Sequence, residues 1–134
     1  FLSAFNGYKN LEYLAGIKKI IGKEEIRESM RRVGLEPDSR KKVGKYSLGM
    51  RQRLAIAQAI MEDPHILILD EPMNGLDKQS VAKVREILLE LKAEGKTILL
   101  ASHNKEDIEI LCDEVYEMER GRIVGSCLSS CIVT

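Results

Sequence analysis

Two pairs of polar side chains each follow an apolar run of this chain, and their residue types could carry phosphoryl transfer. Asp70 and Glu71 follow one run rich in Ile and Leu, and Ser102 and His103 follow a second. Mg²⁺ takes one or two carboxylates together with waters and substrate phosphates, and a second acid can orient or deprotonate an attacking water. A structural interpretation competes with this one, because adjacent acids often simply face water and a single histidine is more often structural than catalytic.

The elements around these side chains must bring them together. Residues 65 to 69 and 97 to 102 predict two strands buried on both faces, and residues 79 to 94 predict the helix between them, with a polar face that includes Arg85. A strand, helix and strand of this length almost always form a right-handed crossover with parallel strands. Both strands therefore end at one edge of an α/β sheet, the edge where ligands bind. A buried pair of ionised carboxylates at that edge would be costly unless a cation compensated it.

A third polar segment, residues 46 to 51, precedes a helix that we expect to reach Glu62. Ser47 and Gly49 stand at its start, where free backbone N–H groups, a hydroxyl and a glycine open to close approach suit an anion. Ser47 is also a plausible N-cap, and on this feature alone the N-cap is the preferred interpretation. From residue 54 to residue 61 only Gln58 is polar, so the far end of this helix should lie in the core.

The rest of the chain predicts helices, a loop and a hairpin. Two charge-rich helices are expected between about Asn10 and Leu35, the second ending at Gly34. The buried stripe of the second helix consists of Ile26, Met30 and Val33. Residues 36 to 45 predict a loop, residues 106 to 112 a short helix, and residues 115 to 125 a hairpin that turns at Arg120 and Gly121. The alternation of strands and helices indicates an α/β domain with a parallel sheet.

Composition excludes several broad classes of protein. The 134 residues carry 21 basic and 21 acidic side chains, so no global field favours nucleic acid or an anionic membrane. The three cysteines lack Cys-x-x-Cys spacing and imply neither a disulfide framework nor a zinc site. No apolar run approaches the roughly 20 residues of a membrane-spanning helix, and we expect no signal peptide. The chain starts at Phe1 rather than Met, so we expect it to be a piece of a longer one.

A nucleoside triphosphate site usually contains a Gly-x-x-x-x-Gly-Lys-Ser/Thr loop, the P-loop, which leads from a strand into a helix. Gly95, Lys96 and Thr97 resemble the end of such a loop. Glu90, however, stands where the first glycine is required, and the segment leads from a helix into a strand. We therefore interpret Gly95 as a helix stop. No P-loop occurs in the 134 residues.

Four segments in order, YSLGMRQRLAIAQAI, HILILDEP, NGLD and ILLASH, resemble the second half of an ABC transporter ATP-binding subunit. NLEYLAGI is also similar to the helical subdomain of bacterial export ATPases. The resemblance covers about residues 1 to 125 and implies the C-terminal part of a P-loop NTPase core with a parallel sheet. Residues 1–62 would form most of the helical subdomain with the signature motif, residues 63–125 the C-terminal half of the core, and residues 126–134 an unassigned tail.

The resemblance also implies roles for individual residues. Asp70 would lie near Mg²⁺ and contact it through water, Glu71 would polarise the attacking water, and His103 would contact the γ-phosphate of ATP. Ser47 and Gly49 match the signature motif, which in the family contacts the ATP held by the opposite subunit, and Asp77 matches the acid of the D-loop at the dimer interface. The sequence YSLGM departs from the usual Leu-Ser-Gly-Gly-Gln and resembles the branch that exports antibiotics, peptides and drugs or that serves ABC-2 type permeases.

The implied function is that of an ATP-hydrolysing subunit that powers a membrane exporter. Such a subunit works in the cytoplasm, on the inner face of the cell membrane, as a head-to-tail dimer bound to a transmembrane permease, without nucleic acid. The family's P-loop, Q-loop and adenine-stacking residues lie upstream of Phe1, so we expect an N-terminally truncated chain that does not hydrolyse ATP alone and that exposes apolar sheet surface. Two alternatives stay open: a non-transport ABC ATPase acting on nucleic acid or translation, and a non-catalytic interaction module derived from such an ATPase.

Overall fold

The computed structural model describes residues 1–18 and 21–128, which form five α-helices, a 3₁₀ turn and four strands. The helices are α1 (Gly7–Lys18), α2 (Lys23–Arg32), α3 (Leu48–Ile60), α4 (Lys78–Ala93) and α5 (Lys105–Leu111), with a 3₁₀ turn at Val43–Lys45. The strands are β1 (Ile66–Asp70), β2 (Thr97–Ala101), β3 (Glu114–Glu119) and β4 (Arg122–Leu128). The predicted fold class is confirmed, because β1 and β2 form a parallel pair.

The first three helices pack against one another. The predicted stripe of α2 is buried, since Ile26, Met30 and Val33 are each at most 2% exposed. Gly34 ends this helix with a φ of +75°, a conformation that glycine adopts readily. Arg53 of α3 fixes the same end, because its guanidinium donates to the carbonyl oxygens of Val33 and Gly34 at 3.2 and 3.3 Å.

The segment before α3 is held by the N-terminus of the chain. The backbone N–H of Val43 donates to the carbonyl oxygen of Phe5 at 2.8 Å, and that of Gly44 donates to the carbonyl oxygen of Ser3 at 3.0 Å. The predicted loop of residues 36 to 45 therefore ends in an ordered 3₁₀ turn, and the next residue, Tyr46, is buried. These hydrogen bonds and the buried Tyr46 fix the start of α3.

The far end of α3 lies in the core, as its composition predicts. Leu54, Ile56 and Ala57 are at most 1% exposed, and Ile60 is also buried. The helix ends there, two residues before the predicted Glu62. The core against which it packs also contains Leu67 of β1.

The prediction that both parallel strands are buried on both faces is wrong. Leu67 is 3% exposed, whereas Ile68 and Leu99, which are paired across the two strands, are 73% and 62% exposed. Successive side chains of a strand point to opposite faces, and among the described residues only one face of this pair is covered. The apolar sequence of the strands therefore leaves an open apolar face among the described residues, which agrees with the expectation of exposed apolar sheet surface.

The crossover helix α4 joins the two strands and packs on the short helix α5. Val84, Ile87, Leu88 and Leu91 of this helix are buried. Gly95 has a φ of +89° and follows the last turn of α4, which confirms its interpretation as a helix stop rather than the end of a P-loop.

The predicted hairpin is confirmed, since β3 and β4 are antiparallel around Arg120 and Gly121. Both turn residues have positive φ angles, 50° and 78°, the combination of a type I′ turn that suits the twist of a hairpin. β4 extends to Leu128, so its last residues fall in the segment that the sequence left unassigned. The remainder of that segment, residues 129–134, lies outside the described residues.

Candidate functional site

The carboxyl ends of β1 and β2 bring Glu71 and His103 into contact. Asp70 ends β1 and is aligned with Ala101, the last residue of β2. The backbone N–H of Glu71 donates to the carbonyl oxygen of Ala101 at 2.8 Å, which extends the strand pairing by one residue. The imidazole Nε2 of His103 then lies 3.2 Å from Oε1 of Glu71. The sequence prediction that these side chains meet at one sheet edge is confirmed for Glu71 and His103.

Glu71 has an unusual backbone conformation for an L-amino acid. Its φ is +47°, in the left-handed region, which disfavours residues that carry a Cβ atom by roughly 1–2 kcal/mol. Its carbonyl oxygen accepts a hydrogen bond from the N–H of Asn74 at 3.1 Å, so the chain turns sharply after β1. Strain of this kind persists only where the surrounding structure enforces it and is concentrated at functional sites.

The site is more open than the sequence analysis expected. Asp70 is exposed, the side chain of Glu71 is 28% exposed, and that of His103 is 96% exposed. The expectation of two carboxylates at a buried strand end is therefore wrong for these residues, because the face of β1 that bears Asp70 is the uncovered one. A cation is not required here to compensate buried charge, and only the oxygen ligands that these side chains offer favour one.

Ser47 caps α3, as predicted, and its Oγ accepts a hydrogen bond from the N–H of Met50 at 3.1 Å. Gly49 lies one residue inside the helix and is buried. A Cβ atom at Gly49 would overlap Oγ of Ser80 and would lie only 2.8 Å from Cβ of Ser80. The close approach that Gly49 permits in this chain is therefore to Ser80 in the first turn of α4.

Asp77 caps α4 in the same way that Ser47 caps α3. Its Oδ1 accepts from the N–H of Ser80 at 2.8 Å. Hydrogen bonds from the Ser80 hydroxyl and from the Ser80 N–H lower the pKa of Asp77. Gly75, with a φ of +75°, sits against the side chain of Leu48, where an added Cβ would be 3.2 Å from Cδ2. The two capped helix starts therefore lie side by side.

The predicted site residues thus form two clusters that are joined by one turn. The strand-end cluster contains Asp70, Glu71 and His103. The helix-start cluster contains Ser47, Gly49 and Asp77. The segment from Glu71 to Asp77 leads from the first cluster to the second, and its residues Glu71 and 73 to 76 line a cleft of about 410 Å³. The other residues of this cleft include Val81, Arg85, Asn104 and Asp107.

Sequence reasoning missed the ion pair between Arg85 and Asp107 in the wall of this cleft. Arg85 was expected to face water, yet its side chain is 18% exposed and that of Asp107 is 4% exposed. Nε of Arg85 donates to Oδ1 of Asp107 at 2.7 Å. The N–H of Asp107 also donates to Oδ1 of Asn104 at 3.0 Å, and the Asn-x-x-Asp spacing at a helix start indicates this cap but not the partner of Asp107 on α4.

The oxygen ligands at the strand ends fit Mg²⁺. Within residues 1–18 and 21–128 no group of three or more His, Cys, Asp and Glu side chains is placed to hold a metal. Mg²⁺ does not need such a group, because it binds through one or two carboxylates and keeps waters and substrate phosphates as its other ligands. Asp70, exposed at the end of β1 beside Glu71, is a suitable donor of this kind.

Glu71 and His103 thus lie at the carboxyl edge of a parallel strand pair, the place where open α/β sheets bind ligands. The sequence profile of the ABC transporter family matches residues 3–74 of the chain. The chain belongs to this family, and its relatives are ATP-binding subunits.

The relatives extend the match beyond those residues. The chain is 52% identical over 125 residues to the uncharacterized ABC transporter ATP-binding protein YybJ of Bacillus subtilis, and the match covers 93% of the chain and 57% of YybJ. It is 42% identical over 125 residues to the bacitracin transport ATP-binding protein BcrA of Enterococcus faecalis, covering 92% of the chain and 41% of BcrA. The chain therefore spans about half the length of these relatives.

Solved structures support the same fold. CbiO1 of Clostridium perfringens, part of the ABC transporter complex cbiONQ, superposes with a TM-score of 0.81 at 28% sequence identity. The superposition covers 96% of this chain and 53% of cbiO1. The described residues thus have the fold of part of an ABC cassette, as the resemblance implied. Among them, no helix combines the length and the apolar character that crossing a bilayer would need.

Proposed function

We propose that these residues are part of an ATP-hydrolysing subunit that powers an ABC-type membrane exporter. The observation that carries the proposal is the 3.2 Å contact between Glu71 and His103 at the carboxyl edge of β1 and β2, with Asp70 beside it. A non-catalytic module has no chemical need for this acid and imidazole together. The name of BcrA, a bacitracin transport protein, supports transport as the setting.

Asp70, Glu71 and His103 have separate roles in this proposal. Asp70 would hold Mg²⁺ through water, and the ion would supply charge stabilisation to the phosphates when it is bound. Glu71 orients the attacking water and accepts its proton, a role worth about 10²–10⁴ in rate. His103, whose imidazole is exposed and contacts Glu71, is free to donate to a γ-phosphate oxygen.

Ser47, Gly49 and Asp77 serve a second subunit in this proposal. The Ser47 side chain is exposed at the start of α3, where the N–H groups and the helix dipole favour an anion. Because Gly49 packs on Ser80, the start of α3 and the D-loop segment ending at Asp77 would meet the partner as one surface. The second subunit, with the phosphate-binding loop that these 134 residues lack, would complete the site in a head-to-tail dimer.

The remaining partners follow from the same proposal. A permease would hold the subunit at the inner face of the cell membrane, and cbiO1, as part of the cbiONQ complex, supports such an assembly. The balanced charge of the chain gives no reason to add nucleic acid. The domain division at about residue 62, with the helical subdomain before it and the core after it, also belongs to this proposal.

The test is ATP hydrolysis by a subunit that carries these residues. Glu71→Gln should lower kcat by about 10²–10⁴ while Mg·ATP still binds, because only proton acceptance by residue 71 is lost. Glu109→Gln, an exposed acid on α5, is the matched control and should leave kcat unchanged. Equal rates for wild type and Glu71→Gln would contradict the proposal.

A second part of the proposal concerns the 134 residues by themselves. We propose that they do not turn over ATP, because no P-loop is present to hold the phosphates. The purified chain should release phosphate from Mg·ATP no faster than its Glu71→Gln variant. Hydrolysis that this substitution abolishes would contradict this part and leave the role of Glu71 standing.

A further inference from the structure

We propose that the Arg85–Asp107 ion pair is a positioning device that fixes the start of α5 and thereby holds His103 against Glu71. The catalytic importance of placing His103 against Glu71 rests on the proposed function, whereas the link between the ion pair and the position of His103 does not. Neither residue touches the atoms that would react, so both are positioning residues.

The pair is built to resist displacement. Asp107 is almost fully buried, and its Oδ1 receives Nε of Arg85 at 2.7 Å and lies 2.5 Å from the Nη2 atom of the same guanidinium. Separating the pair would leave the buried Asp107 carboxylate without its partner, which is strongly unfavourable, while Arg85 would keep only its longer contact with the exposed Glu106 at 3.7 Å. Arg85 lies on α4 and Asp107 on α5, so the pair fastens one helix to the other.

From Asp107 the connection runs through the backbone to His103. The N–H of Asp107 is bound by the side chain of Asn104 at 3.0 Å, and the N–H of Asn104 is bound by Oγ of Ser102 at 3.1 Å. The residues on both sides of His103 are thus held. The imidazole itself is 96% exposed, so packing does little to fix it. Its position against Glu71 therefore depends on the backbone that the ion pair anchors.

A second attachment between the same helices provides a matched control. Nζ of Lys92, two turns further along α4, donates to the carbonyl oxygen of Leu111 at 3.1 Å and pairs with Asp113 at 2.8 Å. This contact fastens the far end of α5. Lys92→Met should loosen that end without moving His103.

The experiment follows the His103 ring in the 134-residue chain by NMR with ¹³C-labelled histidine. The chain has two histidines, so His65 serves as an internal reference for folding. In the otherwise wild-type chain, Glu71→Gln should shift the His103 Cε1 signal because the imidazole contacts that carboxylate. This response should be lost in an Asp107→Asn background and retained in a Lys92→Met background.

Each outcome has a separate meaning. A response that is unchanged in Asp107→Asn overturns the positioning role and leaves the proposed function intact. If Glu71→Gln does not shift the His103 signal in the otherwise wild-type chain, the two side chains are not in contact in solution, and this result contradicts the proposed function instead. If the His65 signal reports that Asp107→Asn has unfolded, Arg85→Lys decides, because lysine keeps the charge but not the forked donor. A lost response there supports the proposal, and an unchanged one overturns it.

Discussion

Gly49→Ala should destabilise the chain although alanine is the better helix former. At this position the new Cβ would stand 2.8 Å from Cβ of Ser80, and ordinary contacts start at 3.4 Å, so α3 and α4 would have to part by about 0.6 Å. Overpacking of this kind typically costs about 1–3 kcal/mol, whereas exchanging glycine for alanine inside a helix gains at most about 1 kcal/mol. The expected net loss is therefore up to about 2 kcal/mol.

The assay is pulse proteolysis in urea at low protein concentration, applied to a double-mutant cycle. Ser80→Gly removes the atoms that the new methyl group would meet, so Gly49→Ala in that background should be neutral or stabilising. The coupling energy should be about 1–3 kcal/mol, in the range for residues in direct contact. Equal destabilisation by Gly49→Ala in both backgrounds would refute the proposed clash with Ser80.

Three further predictions concern the backbone, the cap and the open sheet face. Glu71→Gly should be more stable than Glu71→Ala by about 1 kcal/mol in urea unfolding, because glycine tolerates the φ of +47° at this position; equal stabilities would refute the strain. Since hydrogen bonds from Ser80 lower the pKa of Asp77, its cap should stabilise the chain above about pH 4 and lose that effect as the pH falls through the lowered value. Asp77→Asn should keep the cap but remove its titration, so the urea midpoint should depend less on pH in this range. An unaltered pH profile would contradict this role of Asp77. Ile68→Lys, on the face where Ile68 and Leu99 are mainly exposed, should reduce concentration-dependent association in sedimentation velocity; undiminished association would place the contact elsewhere.

Much of the fold could be predicted because its elements are encoded locally. The stripe of Ile26, Met30 and Val33 has the period of a helix, and Gly34 and Gly95 stop their helices with positive φ angles. The turn at Arg120 and Gly121 likewise follows from its own residues. Burial of β1 and β2 could not be predicted, because it depends on which other elements cover the sheet.

The site was predicted in part for the same reason. Crossover topology alone placed Glu71 and His103 at one edge, and local capping rules identified Ser47. The Arg85–Asp107 pair joins residues 22 positions apart whose partners are set by helix packing. The role of Gly49 was interpreted as space for an anion, and only the approach of α4 reveals Ser80 in that space.

The central claim is that this chain contributes to two different nucleotide sites, with Glu71 in one and Ser47 in the other. Its most direct test is the ATPase rate of mixed dimers of subunits that carry these residues. Each dimer contains one Glu71→Gln substitution and one Ser47→Ala substitution. With the lesions on opposite subunits, both fall in one site, so about half of the wild-type rate should remain if the sites act independently. With both lesions on the same subunit, each site is damaged and the rate should be lower. Equal rates for the two arrangements, or the reverse order, would contradict the claim.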